Sequence, residues 1–199
     1  MSPPRAGVPG LALAVLLIGL SPLSRSAAME QPPGSVITDI DSGQPAAQLD
    51  GLEWTFVRIH YTSPEDKLSA FRAHYWSDPW VIDGPAAEQN LSRRLGRVTS
   101  IHVNEPIVLT LEDERLWEYP WIYFVEPGNL RFTPREVEIM REFLTRGGTA
   151  TFDDFHGPIE WESVAGELRR VFPDREIVPL PLDHPIFSCF YQLAAYPQI

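Results

Sequence analysis

Cysteine, lysine and long apolar runs are all scarce in this chain of 199 residues. Cys189 is the only cysteine, which excludes an internal disulfide and a zinc site built from cysteines. Lys67 is the only lysine and the formal net charge is −11, so the chain repels phosphate backbones and nucleic-acid binding is excluded. After Leu20 no apolar run is long enough to cross a bilayer, so no later transmembrane span is expected.

The single thiol and the serines lack the setting of a catalytic nucleophile. Apolar residues follow Cys189, whereas a nucleophile elbow needs a tight turn of small residues. The chain also lacks a Gly-x-Ser-x-Gly motif, which would expose a nucleophilic serine on such a turn. We therefore expect Cys189 to be a small buried residue, and we expect no enzyme that uses a cysteine or serine nucleophile.

The N-terminal segment has the pattern of a secretory signal peptide. Arg5 supplies a positive charge, residues 11–20 form an apolar core, and Ser26-Ala27-Ala28 places small residues at the cleavage positions. We expect residues 1–28 to be a signal peptide cleaved after Ala28, residues 29–51 a flexible leader, and residues 52–199 a single α/β domain. The protein is then exported, to the periplasm or outside the cell.

Residues 121–157 contain one complete strand–helix–strand unit. Aromatic and β-branched residues predict a strand over 121–125, and Glu126-Pro127-Gly128-Asn129 predicts a turn. Thr133-Pro134-Arg135-Glu136 is a capping box that begins a helix, and Gly147-Gly148 ends it. Residues 149–152 are the next buried strand. The expected buried face of the helix consists of Val137, Met140, Phe143 and Leu144.

The same patterns predict further elements on both sides of this unit. Strands are predicted at 54–61, 106–110 and 176–180, a covering loop at 65–80, and a short helix or turn at 112–117. Helices are predicted from Asp83-Gly84-Pro85 to Thr99 and over 160–172. Ala87, Leu91, Leu95 and Val98 are the expected buried face of the first of these helices. The alternation predicts an α/β fold, a mostly parallel sheet with helices on both faces, as in the flavodoxin-like three-layer sandwich.

Polar side chains follow the predicted strands at their carboxyl ends, where open α/β sheets place ligand sites. They are the candidate ligand-binding residues Glu126, Asp153, Asp154, His156, Glu160, Trp161 and His184. Tryptophans could line such a cleft as aromatic platforms, namely Trp76, Trp80, Trp117, Trp121 and Trp161.

Two functions are compatible with this cluster. In a hydrolase, Asp153, Asp154 and His184 would be catalytic, or Asp154, His156 and His184 would hold a divalent cation that polarises water. Alternatively Asp154 caps the next helix, His184 is satisfied within its own turn, and the domain binds a ligand without catalysis. No His-Glu-x-x-His or comparable metal motif is present. We therefore expect a non-catalytic module that binds a small molecule or an envelope protein. We expect no cofactor other than a divalent metal ion.

Five short motifs together resemble a known family over residues 54–199. They are Gly147-Gly148 before a strand, DDFHG at 153–157, EW at 160–161, VFPDR at 171–175 and LDHPIF at 182–187. This combination resembles the bacterial domain-of-unknown-function family 4159. The resemblance implies a fold similar to class I glutamine amidotransferases, whose EPG turn, T-P-x-E helix and Gly-Gly stop look like those here. It does not imply their activity, since the nucleophilic cysteine is missing. Members continue with an acidic, aromatic segment and a closing helix, so the resemblance also implies a C-terminally truncated member.

Overall fold

The computed structural model describes residues 52–189 and 192–196, together with the backbone of residues 15–16. The strands are β1 (Val15–Leu16), β2 (Glu53–Trp54), β3 (Val57–Ile59), β4 (His102–Val103), β5 (Ile107–Leu109), β6 (Trp121–Val125) and β7 (Thr149–Asp153). The helices are α1 (Glu65–Tyr75), α2 (Ala86–Val98), α3 (Pro134–Thr145) and α4 (Gly157–Val171). Short 3-10 helices lie at Pro79–Val81, Glu114–Glu118, Pro127–Asn129 and Pro185–Phe187. Within the described residues, no helix combines the length and apolarity that crossing a membrane requires.

The main sheet has the strand order β1-β7-β6-β3-β5, and β2 pairs with β4 in a separate parallel sheet. β3, β5, β6 and β7 run parallel to one another, and among the described strands β1 alone is antiparallel, pairing with β7. The predicted α/β class with a mostly parallel sheet is therefore confirmed. β1 lies within the predicted signal peptide, whereas the rest of that segment and the predicted leader up to residue 51 lie outside the described residues.

The two faces of the sheet have different chemistry because side chains alternate along each strand. Ile122 and Phe124 of β6 are fully buried, and Phe124 stacks on Phe152 of β7 with ring centroids 4.7 Å apart. These residues belong to the same hydrophobic core as the buried residues of α3 and α4. On the opposite face, Arg58 of β3 lies over the Tyr123 ring and pairs with Glu88 of α2. Helices therefore cover both faces.

Local sequence signals set the bounds of α3. The Thr133 hydroxyl accepts a hydrogen bond from the Glu136 amide at 3.1 Å, and the Glu136 carboxylate accepts one from the Thr133 amide at 2.7 Å. The predicted capping box is thus confirmed. Gly147 has φ 98°, the left-handed conformation in which glycine is favoured, and it follows the end of the helix. All four residues predicted to face the core from α3 are buried.

Replacing Gly148 by alanine is expected to lower the free energy of unfolding by about 1–3 kcal/mol, the usual cost of overpacking. The added Cβ would lie 2.4 Å from the ring of Phe143, which is buried and cannot move aside. Urea unfolding monitored by tryptophan fluorescence measures this loss. Gly166→Ala in α4 is the matched control, because its Cβ would meet nothing within 4 Å, and it should stabilise the protein by about 0.5–1 kcal/mol. Equal effects of the two changes would contradict the steric explanation.

Several predictions for the first half of the domain were wrong. Residues 65–75 form helix α1 instead of a loop, with Glu65 and Asp66 in its first turn and a left-handed Trp76 at its end. Only Phe71 of this helix is buried, so it has no wide apolar stripe for a sequence pattern to show. The predicted strand 54–61 is divided between β2 and β3, which belong to different sheets.

The predicted buried face of α2 was only partly right, because Ala87, Leu95 and Val98 are half-buried and none of the four predicted residues is fully buried. Leu91 is 40% exposed, whereas Glu88 and Ser92 are the buried residues of this helix. The reason is the ion pair between Glu88 and the buried Arg58, which turns a polar face of α2 toward the sheet.

Two predictions near the C-terminus were wrong as well. Residues 176–180 have no strand structure. Cys189 is exposed rather than buried, and its Sγ lies 3.2 Å from the Ile186 carbonyl oxygen.

Candidate functional site

The candidate site lies where β6 and β7 end side by side. Val125 pairs with Asp153 in the last register position, so Glu126 and Asp154 leave the sheet at the same edge. The Glu126 amide donates to the Asp153 carbonyl at 3.0 Å, which extends the pairing by one residue. Glu126 has φ 49° and Asp154 has φ 61°. Left-handed backbone is uncommon for residues other than glycine, and such strain is concentrated at functional sites.

Glu126, Asp154 and His156 form a group of three possible metal ligands. One ligand atom from each lies within 4.8 Å of the other two. His156 Nε2 is 3.2 Å from Asp154 Oδ1. Glu126 is 5% exposed, whereas the side chains of Asp154 and His156 are 31% and 58% exposed. The group therefore has a buried floor at Glu126 and an open mouth at His156.

The backbone carbonyl of Glu126 accepts hydrogen bonds from the Tyr61 hydroxyl and the Asn129 side chain, and its buried carboxyl is free to face Asp154 and His156. Burial, followed by the negative charges of Asp154, Glu160 and Asp83, raises its pKa to about 8. Burial also raises the pKa of Asp154, and Asp153 and Asp83 add to this effect while His156 opposes it. These acids therefore repel one another, and Glu126, with a pKa of about 8, keeps its proton at neutral pH in the absence of a cation.

Neighbouring side chains hold this edge in place. The Tyr61 hydroxyl donates to the carbonyl oxygens of Val125 and Glu126, each at 2.8 Å, and its burial raises the pKa of Tyr61. Asp153 accepts from the Tyr123 hydroxyl at 2.9 Å and from the Asp154 amide at 2.9 Å. Asp153 thus acts on the site by fixing the turn in which Asp154 lies.

Glu160 closes the other side of the site from the first turn of α4. Its Oε2 accepts a hydrogen bond from the His156 amide at 2.5 Å. Its side chain crosses Gly128 so closely that a Cβ at position 128 would lie 2.7 Å from the Glu160 Cβ. Glycine is therefore required at position 128 for Glu160 to keep this position.

The remaining predicted residues lie elsewhere. Among the described residues, His184 is outside the group of possible metal ligands, and its Nδ1 accepts from the Ile186 amide at 3.3 Å. Trp161 stacks on Phe155 against the core.

The other tryptophans have separate environments: Trp76 is 91% exposed, Trp80 stacks on His60, Trp117 lies under Arg146, and Trp121 donates to Thr151. Within the described part of the chain, no ring contact joins any two of these five tryptophans.

Sequence reasoning missed Asp83 and the residue that positions it. Asp83 has φ 58°, and its charge contributes to the raised pKa of both Glu126 and Asp154. Arg58, 1% exposed, donates from Nη1 to the carbonyl oxygens of Trp80 and Ile82, both at 3.0 Å. This anchors the segment that carries Asp83. The sequence feature that could have revealed Arg58 is its position between Val57 and Ile59, in a strand that is otherwise apolar.

Two carboxylates and one imidazole are the donor set of many divalent-cation sites. Oxygen and nitrogen ligands suit Zn²⁺ and Mn²⁺, and three protein ligands leave coordination positions open for water or a bound molecule. The arrangement fits a cation, because ligand atoms of two carboxyl groups and an imidazole lie within 4.8 Å of one another where the acids otherwise repel each other. The described residues of this site include no cysteine or serine placed as a nucleophile.

Comparison with known proteins agrees with the motifs. No curated protein matches the chain. The model of the family described as domain of unknown function (DUF4159) matches residues 56–199, which is most of the chain and all four helices. This protein therefore belongs to the DUF4159 family.

Proposed function

We propose that this domain is a ligand-binding module that holds a divalent cation through Glu126, Asp154 and His156. The observation that supports this proposal is that the buried Glu126 places a carboxylate oxygen within 4.8 Å of ligand atoms of Asp154 and His156. A cation there would replace the proton that Glu126 holds at neutral pH and would relieve the repulsion between the carboxylates. The open mouth at His156 would leave room for a molecule to coordinate the cation from outside.

The surrounding residues favour this role over simple capping. Asp154 Oδ1 faces His156 instead of capping α4, and the side chain of His156, the N-cap residue of that helix, makes no capping hydrogen bond. Asp83 and Glu160 add negative charge around Glu126 without bonding to its carboxylate. The ligand class that fits is a small molecule with an oxygen or nitrogen donor for the cation. An envelope protein that inserts such a group is the second kind of partner.

A hydrolase is the alternative function, and Glu126 is the residue that favours it. Its pKa is raised to about 8, near the pH at which a general acid or base is most effective. A cation on Asp154 and His156 would supply polarised water, and Glu126 would accept or donate the proton. Hydrolysis of a chromogenic ester or phosphoester that disappears in Glu126→Gln would support this alternative over simple binding.

Two broader inferences accompany the proposal. We infer that the protein is exported, to the periplasm or beyond, as Arg5, the apolar residues 11–20 and Ser26-Ala27-Ala28 indicate. We also infer a glutamine amidotransferase-like fold. The Glu126-Pro127-Gly128 turn after β6 and the capping box of α3 support it. Recovery of the expressed protein in the periplasmic fraction of the cells would test the first inference.

The test is a metal analysis of the purified chain, with thermal melts in Zn²⁺, Mn²⁺, Mg²⁺ or a chelator. A cation at about 100 times its Kd adds about 2.7 kcal/mol of stability, which raises Tm by about 5–10 °C for a domain of this size. Asp154→Ala should abolish the rise. Asp174→Ala, which removes an exposed carboxylate far from the site residues in sequence, should keep it. No bound cation and no shift in the unaltered protein, or an equal shift in Asp154→Ala, would refute the proposal.

A further inference from the structure

A groove lies between α1 and α4, directly beside the candidate cation site. Its volume is about 330 Å³, which is within the range of small-molecule sites. Its walls come from α1, from the 3-10 helix at Pro127–Asn129 and from the first two turns of α4. The lining residues that matter here are Lys67, Phe71, Tyr75, Gly128, Ile159 and Ser163.

Lys67 places a positive charge in this groove without an acidic partner. Its Nζ donates to the Gly128 carbonyl and to the Ser163 hydroxyl, each at 2.7 Å. Among the described residues no carboxylate lies within 4.0 Å of this ammonium. An ammonium group has three N–H donors, so one remains for a bound molecule. This half-buried ammonium is held only by neutral groups, so it attracts an anionic group locally even in a chain of net charge −11.

The opposite part of the groove is apolar and aromatic. Phe71 and Tyr75 are one turn apart on α1 and stack with ring centroids 4.5 Å apart. Tyr75 is 49% exposed, and Ile159 at the start of α4 is 84% exposed. Exposed aromatic and aliphatic groups that face a concave surface beside a charged group are typical of sites for small amphipathic molecules.

Glu160 forms the wall that the groove shares with the cation site. It lines the groove, and its Oε2 accepts from the His156 amide on the side of the cation site. Gly128 is two residues after Glu126, and its carbonyl is one of the two acceptors that hold Lys67. Glu160 therefore separates a molecule in the groove from the cation site.

We propose that this groove is a binding site for a small aromatic carboxylate. The carboxylate binds the Lys67 ammonium, and the ring lies against Phe71, Tyr75 and Ile159. This proposal rests on the proposed function only in that the domain is a ligand-binding module. The contacts of the groove with the carboxylate do not require the cation.

The probe is phenylacetate, and phenylacetamide is its neutral analogue of the same shape. Binding to the full chain is measured by ligand-observed NMR in the presence of a chelator. Phenylacetate should bind about tenfold more tightly than phenylacetamide, because both accept a hydrogen bond from Lys67 but only the carboxylate forms an ion pair with it. Equal affinity for the two probes, or no binding of either, overturns the proposal.

Variants separate recognition by Lys67 from a purely structural role. Lys67→Met should weaken phenylacetate binding about tenfold, whereas Arg135→Met, which removes an exposed cation on α3, should leave it unchanged. Ser163→Ala removes one acceptor of Lys67 but keeps its charge, so binding should persist. Tyr75→Ala changes an exposed ring and should weaken both probes without unfolding the protein. A lower Tm in Lys67→Met with unchanged affinity would mean that Lys67 only joins α1 to α4.

Use of the chelator makes the two proposals distinguishable. Loss of the cation response in Asp154→Ala with retained phenylacetate binding would leave the groove proposal intact. A cation-dependent melting shift without any discrimination between the two probes would support the cation site and reject the groove.

Discussion

Replacing Glu126 by glutamine is expected to stabilise the metal-free domain at alkaline pH and to flatten its dependence on pH. In the unaltered protein the free energy of unfolding should fall as the pH rises from 4.5 to about 8, the interval between the ordinary and the folded-state pKa of Glu126. In the variant most of this fall should disappear. Urea unfolding at a series of pH values, with a chelator present, measures both profiles.

The sign follows from proton linkage. The pKa of Glu126 is raised in the folded protein, so between these two pH values the folded state keeps a proton that the unfolded state has released. Raising the pH through this interval therefore favours unfolding, and below pH 4.5 the penalty is absent. Each pKa unit corresponds to about 1.4 kcal/mol, so the two proteins should differ by a few kcal/mol above the folded pKa. Asp154, whose pKa is also raised, changes stability in the same direction and remains in the variant.

Glutamine has nearly the same shape as glutamate, so loss of packing does not complicate the comparison. Glu176→Gln, at an exposed position, is the matched control and should keep the profile of the unaltered protein. With a saturating cation the unaltered protein should have the higher free energy of unfolding, because Glu126→Gln lacks a carboxylate ligand that the cation needs. A variant with the same pH profile as the unaltered protein would show that Glu126 is not the desolvated acid of the site.

Replacing Glu88 by alanine is expected to cost about 3–5 kcal/mol of stability, the usual effect of leaving one member of a buried ion pair alone. Arg58 is 1% exposed and Glu88 is 5% exposed, so neither charge is solvated when its partner is removed. The other polar contacts of Arg58 are with neutral groups, the carbonyls of Trp80 and Ile82 and the Tyr123 ring, and its Nη2 has no hydrogen-bond partner among the described residues.

Two further variants test whether the buried charge is the cause. Glu162→Ala breaks the ion pair with Arg169, in which both side chains are more than half exposed, and should cost about 0–1 kcal/mol. The double variant Arg58→Met, Glu88→Leu removes both charges and should recover most of the stability lost in Glu88→Ala. It should also weaken the cation response, because Arg58 holds the segment that carries Asp83. A loss below 1 kcal/mol in Glu88→Ala would show that Arg58 does not depend on this pair.

The comparison of α1, α2 and α3 shows where local pattern is sufficient. α3 has a capping box, a glycine stop and a wide apolar stripe, so its bounds and its buried face both follow from the chain itself. α1 has one buried residue, and no stripe distinguishes it from a loop. In α2 the apolar spacing was present, but the Arg58–Glu88 ion pair selected a different face.

The chain by itself determined the α/β class, the unit from β6 to β7, and the placement of Glu126, Asp154 and His156 at one sheet edge. These follow from short-range signals and from the rule that parallel strands end at a common edge. Only the tertiary structure decided which acids meet. It brought Glu126 beside Asp154, added Asp83 through Arg58, placed Lys67 in a groove beside Glu160, and left His184 bonded within its own turn. Contacts between residues far apart in the chain depend on packing, and packing has no local signature in the sequence.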